Sequence, residues 1–114
     1  MKFILIIAFL LSFKSLANDC SYDIKYDSLE YNILVTYCCE EGNLDCDKVY
    51  YKGVNKKDQS SIYLKGRTIN NALSHRFLGY QFENNGYTYI IQNNLLSIYK
   101  GEKLLQNNTL YEIE

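Results

Sequence analysis

The fold is decided by residues 77–92, which read FLGYQFENNGYTYIIQ. Asn85-Gly86 is typical of a type I′ turn, because both central residues of that turn need a positive φ. Centring the turn there pairs Phe82 with Tyr89 and Tyr80 with Ile91. The apolar and aromatic side chains then share one face of the hairpin: Leu78, Tyr80, Phe82, Tyr87, Tyr89 and Ile91. The sequence therefore predicts an antiparallel hairpin with one core-facing side.

The same alternation with a period of two continues along the chain, and no segment has a convincing helical period. Lys100-Gly101-Glu102 marks a second hairpin turn, centred on 100–101 or 101–102, and the polar connection 70–76 has room for one helical turn. The predicted strands are 21–27, 29–39, 46–53, 60–65, 67–70, 77–83, 87–92, 95–100, 103–106 and 109–113. We predict one all-β domain, residues 18–114, in which an antiparallel meander of about eight strands closes as a small barrel or a tight sandwich.

The first 17 residues have the features of a secretory signal peptide. Met1-Lys2 gives a positive start, residues 3–11 are apolar, and Ser15-Leu16-Ala17 places small residues around a cleavage site after Ala17. The apolar run is too short to span a hydrocarbon core of ~30 Å. Cys20 does not directly follow the cleaved bond, so it is not a lipoprotein cysteine. We expect a periplasmic or secreted chain without a membrane anchor.

Size and charge restrict the classes of function. Cleavage removes 17 of 114 residues and leaves 97; loss of Lys2 and Lys14 leaves 10 basic against 13 acidic residues, a net charge of −3. This mild acidity predicts neither nucleic-acid binding nor attraction to anionic membranes. A chain of this length also has no room for a nucleotide-binding unit with a substrate domain or for a barrel enzyme.

Four cysteines, Cys20, Cys38, Cys39 and Cys46, fall early in the exported chain and predict two disulfides in an oxidising compartment. A bond between Cys38 and Cys39 would be strained, which leaves two pairings. The residues Leu29, Tyr31, Ile33, Val35, Tyr37 and Cys39 share a face of the second strand, and Cys20 continues the matching face of the first. This parity favours Cys20–Cys39 with Cys38–Cys46. The absence of a Cys-x-x-Cys motif indicates structural bonds, with neither a metal nor a redox site.

His75 is the only imidazole, and no nucleophile motif, phosphate-binding loop or spaced set of metal ligands accompanies it. A lone histidine in a polar loop is more often a surface residue than a catalytic one. We therefore expect a protein that is not an enzyme and needs neither cofactor nor metal. A small hydrolase that uses His75 is the last alternative.

Partner-binding candidates come from an acidic loop and from outward tyrosines. Residues 40–47 carry Glu40, Glu41, Asp45 and Asp47 on a connection that a disulfide would hold rigid, which fits a basic cleft on a partner; the plainer interpretation is a solvated turn. Among the 12 tyrosines, strand parity assigns to the core Tyr22, Tyr26, Tyr31, Tyr37, Tyr80, Tyr87 and Tyr89. Tyr63 and Tyr99 face outward, and Tyr50 and Tyr51 cannot both face inward. We count Tyr51, Tyr63 and Tyr99 as partner-contacting residues, although outward rings can also simply cover a sheet or stack on sugars.

The pieces together resemble a group of exported proteins. The segments SIYLKGRT (61–68), GYQF (79–82) and YTY (87–89), in a small chain with a cysteine near its mature start, resemble small Gram-negative periplasmic β proteins of the toxin-immunity and C-type lysozyme-inhibitor kind. Lysozyme inhibitors have a Ser-Gly-x-x-Tyr loop followed by a Lys-Gly turn. Lys100-Gly101 matches the turn, but Gly79-Tyr80 lacks the serine and the spacing, so no residue role is carried over.

The resemblance implies an immunity protein that binds and neutralises a secreted antibacterial toxin or hydrolase by occupying its cleft. The alternatives are a lysozyme inhibitor and a cell-envelope binding or structural protein. The expected partner is a protein, whose identity the sequence leaves open.

Overall fold

The computed structural model describes residues 22–39 and 45–113. Within these two ranges the chain forms nine strands and no helix. Neighbouring strands pair antiparallel throughout. The strands are β1 (Tyr22–Asp27), β2 (Tyr31–Tyr37), β3 (Val49–Asn55), β4 (Ser61–Asn70), β5 (Phe77–Asn84), β6 (Tyr87–Gln92), β7 (Leu95–Lys100), β8 (Lys103–Thr109) and β9 (Tyr111–Ile113). The all-β prediction is confirmed.

The sheet is a meander that curls back on itself. Its order is β8-β7-β6-β5-β4-β3-β2-β1-β9, so β8 lies at one edge and β9 at the other. Only Leu110 separates these two strands along the chain, and β9 pairs with β1 through Asp27↔Tyr111 and Lys25↔Ile113. The last strand therefore changes partners at Leu110 and joins the two edges. The result is a nearly closed barrel rather than a sandwich.

Side chains fill the interior of the barrel. Alternate residues of each strand point inward, and the most completely buried of them are Val35, Val49, Phe82 and Leu96. Tyr51 packs between aromatic neighbours, with ring centroids 5.2 Å from Phe82 and 5.6 Å from Tyr89. Aromatic and branched side chains thus form one continuous core of the kind that small barrels need.

The hairpin that decided the fold has the predicted register. Phe82 pairs with Tyr89 and Tyr80 with Ile91. Asn85 and Gly86 have φ values of 47° and 89°, as a type I′ turn requires. The turn between β7 and β8 is centred on Gly101-Glu102, because Lys100 pairs with Lys103. The second of the two predicted centres is therefore the observed one.

Gly66 does not interrupt its strand, so the predicted break between 60–65 and 67–70 is wrong. It pairs with Val49 on one side and with Phe82 on the other, inside the continuous strand β4. A Cβ at this position would clash with the Phe82 ring and with the backbone oxygen of Gln81. The glycine allows a close approach of two strands rather than a turn.

Several strand ends also differ from the prediction. Leu29 lies in the turn before β2 instead of on the inner face, and it is 95% exposed. The loop 71–76 contains a single turn over residues 72–74. The N–H of Asn71 donates to the Arg76 oxygen at 2.8 Å, and the N–H of His75 donates to the Asn71 oxygen at 2.9 Å. The second bond spans four residues, as in one turn of an α-helix, so the loop holds the single helical turn for which it has room.

The predicted disulfide pairing is wrong. Cys39 is bonded to Cys46, with Cα atoms 5.9 Å apart, and both residues are buried. Strand parity holds for Cys39, which is buried like Ile33 and Val35, but it does not identify the partner. The N–H of Cys38 donates to the Lys48 oxygen at 2.9 Å, which continues the β2–β3 pairing past Tyr37 and brings Cys39 close to the residues that precede β3. Cys38 is also disulfide-bonded.

Four features of the prediction lie outside the described residues: the signal peptide 1–17, Cys20, Glu40 and Glu41.

Candidate protein-binding surface

The outer side of β2, β3 and β4 carries two rows of side chains that the strand register aligns. Leu34, Lys52 and Tyr63 occupy one row of paired positions. Thr36, Tyr50 and Lys65 occupy the next. They point outward because their neighbours along each strand fill the core. We call these six residues the tyrosine–lysine face.

The tyrosine–lysine face exposes large aromatic rings. Tyr63 is 69% exposed and Tyr50 is 41% exposed. A groove of about 410 Å³ runs along this part of the sheet, lined by all six residues of the face. The Lys52 Nζ lies 5.6 Å from the centroid of the Tyr63 ring, a cation–π distance that helps to hold the ring in place. Exposed tyrosines on a rigid sheet contact a partner at little cost in side-chain entropy.

The tyrosine–lysine face carries positive charge, and acidic side chains lie at its edge. Lys52 and Lys65 lie within it. A second groove, of about 300 Å³, is lined by Lys65 together with Arg67 and by the acidic side chains of Asp47 and Glu83. A partner surface with carboxylates facing the two lysines would therefore have complementary charge.

The acidic loop is only partly described. Asp45 and Asp47 are exposed, and the Asp45 Oδ1 accepts a hydrogen bond from the Asn70 Nδ2 at 2.9 Å. The Cys39–Cys46 bond closes the loop at its base. Since Asp47 shares its groove with Lys65 and Arg67, this end of the loop presents mixed charge rather than a purely anionic surface.

Tyr51 faces the core, which corrects its assignment as a partner-contacting residue. It is 2% exposed, whereas its neighbour Tyr50 is on the outer face. Burial, with smaller contributions from Tyr89 and Tyr31, raises the pKa of Tyr51 well above its ordinary value of 10.0. Burial likewise raises the pKa of Tyr89. The Tyr51 phenol therefore stays protonated well into the alkaline range.

Tyr63 and Tyr99 lie on different parts of the barrel. Tyr99 belongs to β7, where it pairs with Thr88 and Leu104, and it is half-buried. Two strands, β5 and β6, separate its strand from that of Tyr63 in the sheet order. The two tyrosines are therefore not parts of one continuous patch.

Sequence reasoning missed Tyr50, Lys52 and Leu34. The signal was present, because Val49, Tyr51 and Gly53 alternate with Tyr50, Lys52 and Val54 along β3. Placing Val49 in the core would have assigned Tyr51 to the inside and Tyr50 to the outside. The sequence of β3 alone does not show which of the two alternating sets of residues faces the core, because this depends on how β3 packs against the other strands.

His75 lies exposed in the loop between β4 and β5, with a φ of 60°. Within residues 22–39 and 45–113, no group of three or more His, Cys, Asp or Glu side chains is placed to hold a metal ion. The same part of the chain contains no helix long and apolar enough to cross a membrane.

Comparison with known proteins found no matching family model, no matching curated protein and no matching solved structure.

Proposed function

We propose that this protein is a non-enzymatic periplasmic inhibitor of the immunity type, which binds a secreted antibacterial toxin or hydrolase and covers its cleft. The observation that carries the proposal is the tyrosine–lysine face. It combines two exposed tyrosines, an apolar leucine and two lysines on a sheet that is rigid because the core beneath it is packed. Tyrosine is enriched among the residues that dominate binding energy at protein interfaces.

The charge of the face favours one kind of partner. Enzymes that hydrolyse glycosidic bonds generally place a pair of carboxylates in the substrate cleft. Lys52 and Lys65 would approach such carboxylates while Tyr50 and Tyr63 cover the rim. The acidic loop would instead suit a basic cleft, so the two surfaces make opposite predictions about the partner.

The test measures both binding and inhibition. The mature protein is titrated with the secreted toxin encoded beside its gene and with a C-type lysozyme, while the activity of each is followed. We expect saturable inhibition of one of them, and the double variant Tyr50→Ala/Tyr63→Ala should weaken binding by about tenfold or more. The matched control is Tyr99→Ala, which removes a tyrosine from another part of the barrel and should change the affinity little.

Charge reversal separates the two candidate surfaces. Lys52→Glu/Lys65→Glu should weaken binding and reduce or reverse its loss with salt, because the attraction that salt screens is gone; Glu41→Lys/Asp45→Lys should do so only if the acidic loop makes the contact. Equal affinities of the wild type and the Tyr50/Tyr63 double variant would eliminate the face as the binding site. If neither enzyme is inhibited but purified peptidoglycan retains the protein, the cell-envelope alternative replaces the inhibitor.

A further inference from the structure

A small cavity opens at one end of the barrel, where Tyr31, Tyr51 and Tyr89 converge from β2, β3 and β6. Its volume is about 120 Å³. We call it the tyrosine pocket; its other lining residues are Gly53, Asn55, Ser60, Ser61 and Ile62. A water molecule takes up about 30 Å³ in the liquid, so the pocket accepts a group of only a few heavy atoms.

The Tyr51 hydroxyl has room in the pocket because the next inward residue of its strand is a glycine. A Cβ on Gly53 would lie 2.7 Å from the Tyr51 hydroxyl oxygen. That hydroxyl has no hydrogen-bond partner among the described residues. In this part of the chain every fully buried side-chain polar atom has a partner, so the Tyr51 hydroxyl is not fully buried. The hydroxyl is therefore open to the pocket, where it is available to donate or accept a hydrogen bond.

The pocket wall offers both donors and acceptors. The Tyr31 hydroxyl donates to Gln106 Oε1 at 3.2 Å, which leaves its oxygen free to accept. The Asn55 Oδ1 accepts from the Lys57 N–H at 2.8 Å, which leaves the amide N–H groups of Asn55 as donors. Together with the Tyr51 hydroxyl, these groups suit a ligand that can both accept and donate.

The pocket also discriminates against charge. None of its eight lining residues is an aspartate, glutamate, lysine, arginine or histidine. The raised pKa values of Tyr51 and Tyr89 have burial as their main cause, which means that this environment disfavours an anion. Transfer of a carboxylate into such a site without a cationic partner costs far more than transfer of a neutral polar group.

We propose that the tyrosine pocket is a binding site for an uncharged amide group. An amide has a carbonyl acceptor and N–H donors, which match the mixed wall, and its few heavy atoms match the volume. Its flat faces pack against the aromatic rings of Tyr31, Tyr51 and Tyr89. The same chemistry occurs in the side chains of glutamine and asparagine on a protein and in the N-acetyl group of an amino sugar.

The test uses acetamide as the probe and acetate as its charged counterpart of similar shape. Each is titrated into the mature protein while the ring signals of Tyr51 and Tyr89 are followed by nuclear magnetic resonance. We expect saturable shifts with acetamide, with a dissociation constant on the order of millimolar for so small a ligand. Acetate should bind at least about tenfold more weakly.

Two variants locate the site. Tyr51→Phe keeps the ring and removes the hydroxyl, and should weaken acetamide binding roughly 3- to 10-fold. The matched control, Tyr63→Phe, removes a hydroxyl from the outer face and should leave the affinity unchanged. Comparing propionamide, which resembles the end of a glutamine side chain, with N-acetylglucosamine then shows which source of the amide binds more tightly.

Three results would overturn the proposal: no saturable shift with acetamide, equal affinity for acetate, or no effect of Tyr51→Phe. None of these measurements involves a protein partner. If the amide probes do not bind, the tyrosine–lysine face therefore remains a candidate protein-binding surface. If the protein inhibits no toxin, the tyrosine pocket remains a candidate amide site.

Discussion

Tyr51 and Gly53 form a pair at successive inward positions of β3. The tyrosine ring packs against Phe82 and Tyr89, and its hydroxyl extends over the glycine, where a side chain would collide with it. A polar aromatic residue fits the barrel interior here because the next inward position has no side chain. The neighbouring Tyr50 faces solvent, so adjacent residues of one type have opposite roles.

The burial of Tyr51 makes stability depend on alkaline pH. Its folded-state pKa is raised above the ordinary value of 10.0, so the folded state favours the protonated phenol. The resulting stabilisation is complete below pH 10 and is lost as the pH rises above that value, because only the unfolded chain then ionises this group readily. Between pH 8 and pH 11 the free energy of unfolding should fall less for Tyr51→Phe than for the wild type. We expect the two decreases to differ by about 1 kcal/mol.

Urea unfolding at the two pH values measures this difference. Tyr63→Phe, which removes an exposed hydroxyl, is the control and should follow the wild type. Identical losses for the wild type and Tyr51→Phe would show that burial of this phenol does not contribute to alkaline unfolding.

At the scale of strands and turns, the short hairpins follow from local sequence. Asn85, Asn93 and Asn94 have φ values of 47°, 54° and 60°, a region that asparagine tolerates better than most residues. Gly86 and Gly101 also have positive φ. Turn chemistry of this kind acts over two residues, so it can be predicted from the sequence.

The loop between β2 and β3 depends on its disulfide. Non-reducing peptide mapping should recover a fragment that links Cys39 with Cys46. Cys39→Ala/Cys46→Ala should lower the free energy of unfolding by about 2–3 kcal/mol, because the bond closes a loop with a sequence separation of 7. A fragment that links Cys38 with Cys46 would contradict the observed pairing.

At the scale of the whole molecule, Leu110 holds the barrel closed. It lies between β8, which pairs with β7, and β9, which pairs with β1. It is 2% exposed, and its N–H donates to the Asn94 oxygen at 2.8 Å. The chain can join the two sheet edges at this point because the side chain is anchored in the core. Without that junction, two strand edges would be open to other chains.

Leu110→Ala should therefore destabilise the protein by about 2–5 kcal/mol, as the removal of a buried leucine generally does. Leu105→Ala is the matched control, since Leu105 is 44% exposed on the adjoining strand and should cost less than about 0.5 kcal/mol. Urea unfolding of both variants gives the comparison. Equal destabilisation would mean that Leu110 has no special part in closing the barrel.

The sequence by itself determined the all-β class, most strand positions, the register of the central hairpin and the outward direction of Tyr63. These depend on an alternation with period two and on turn residues, both of which act over a few positions. Tertiary structure alone decided that the sheet closes as a barrel, that Cys39 pairs with Cys46, that Tyr50 rather than Tyr51 faces outward, and that Leu34, Lys52 and Tyr63 form one row. Each of these depends on which strands pair and in what register, and the alternation of residues within one strand does not specify its pairing partners.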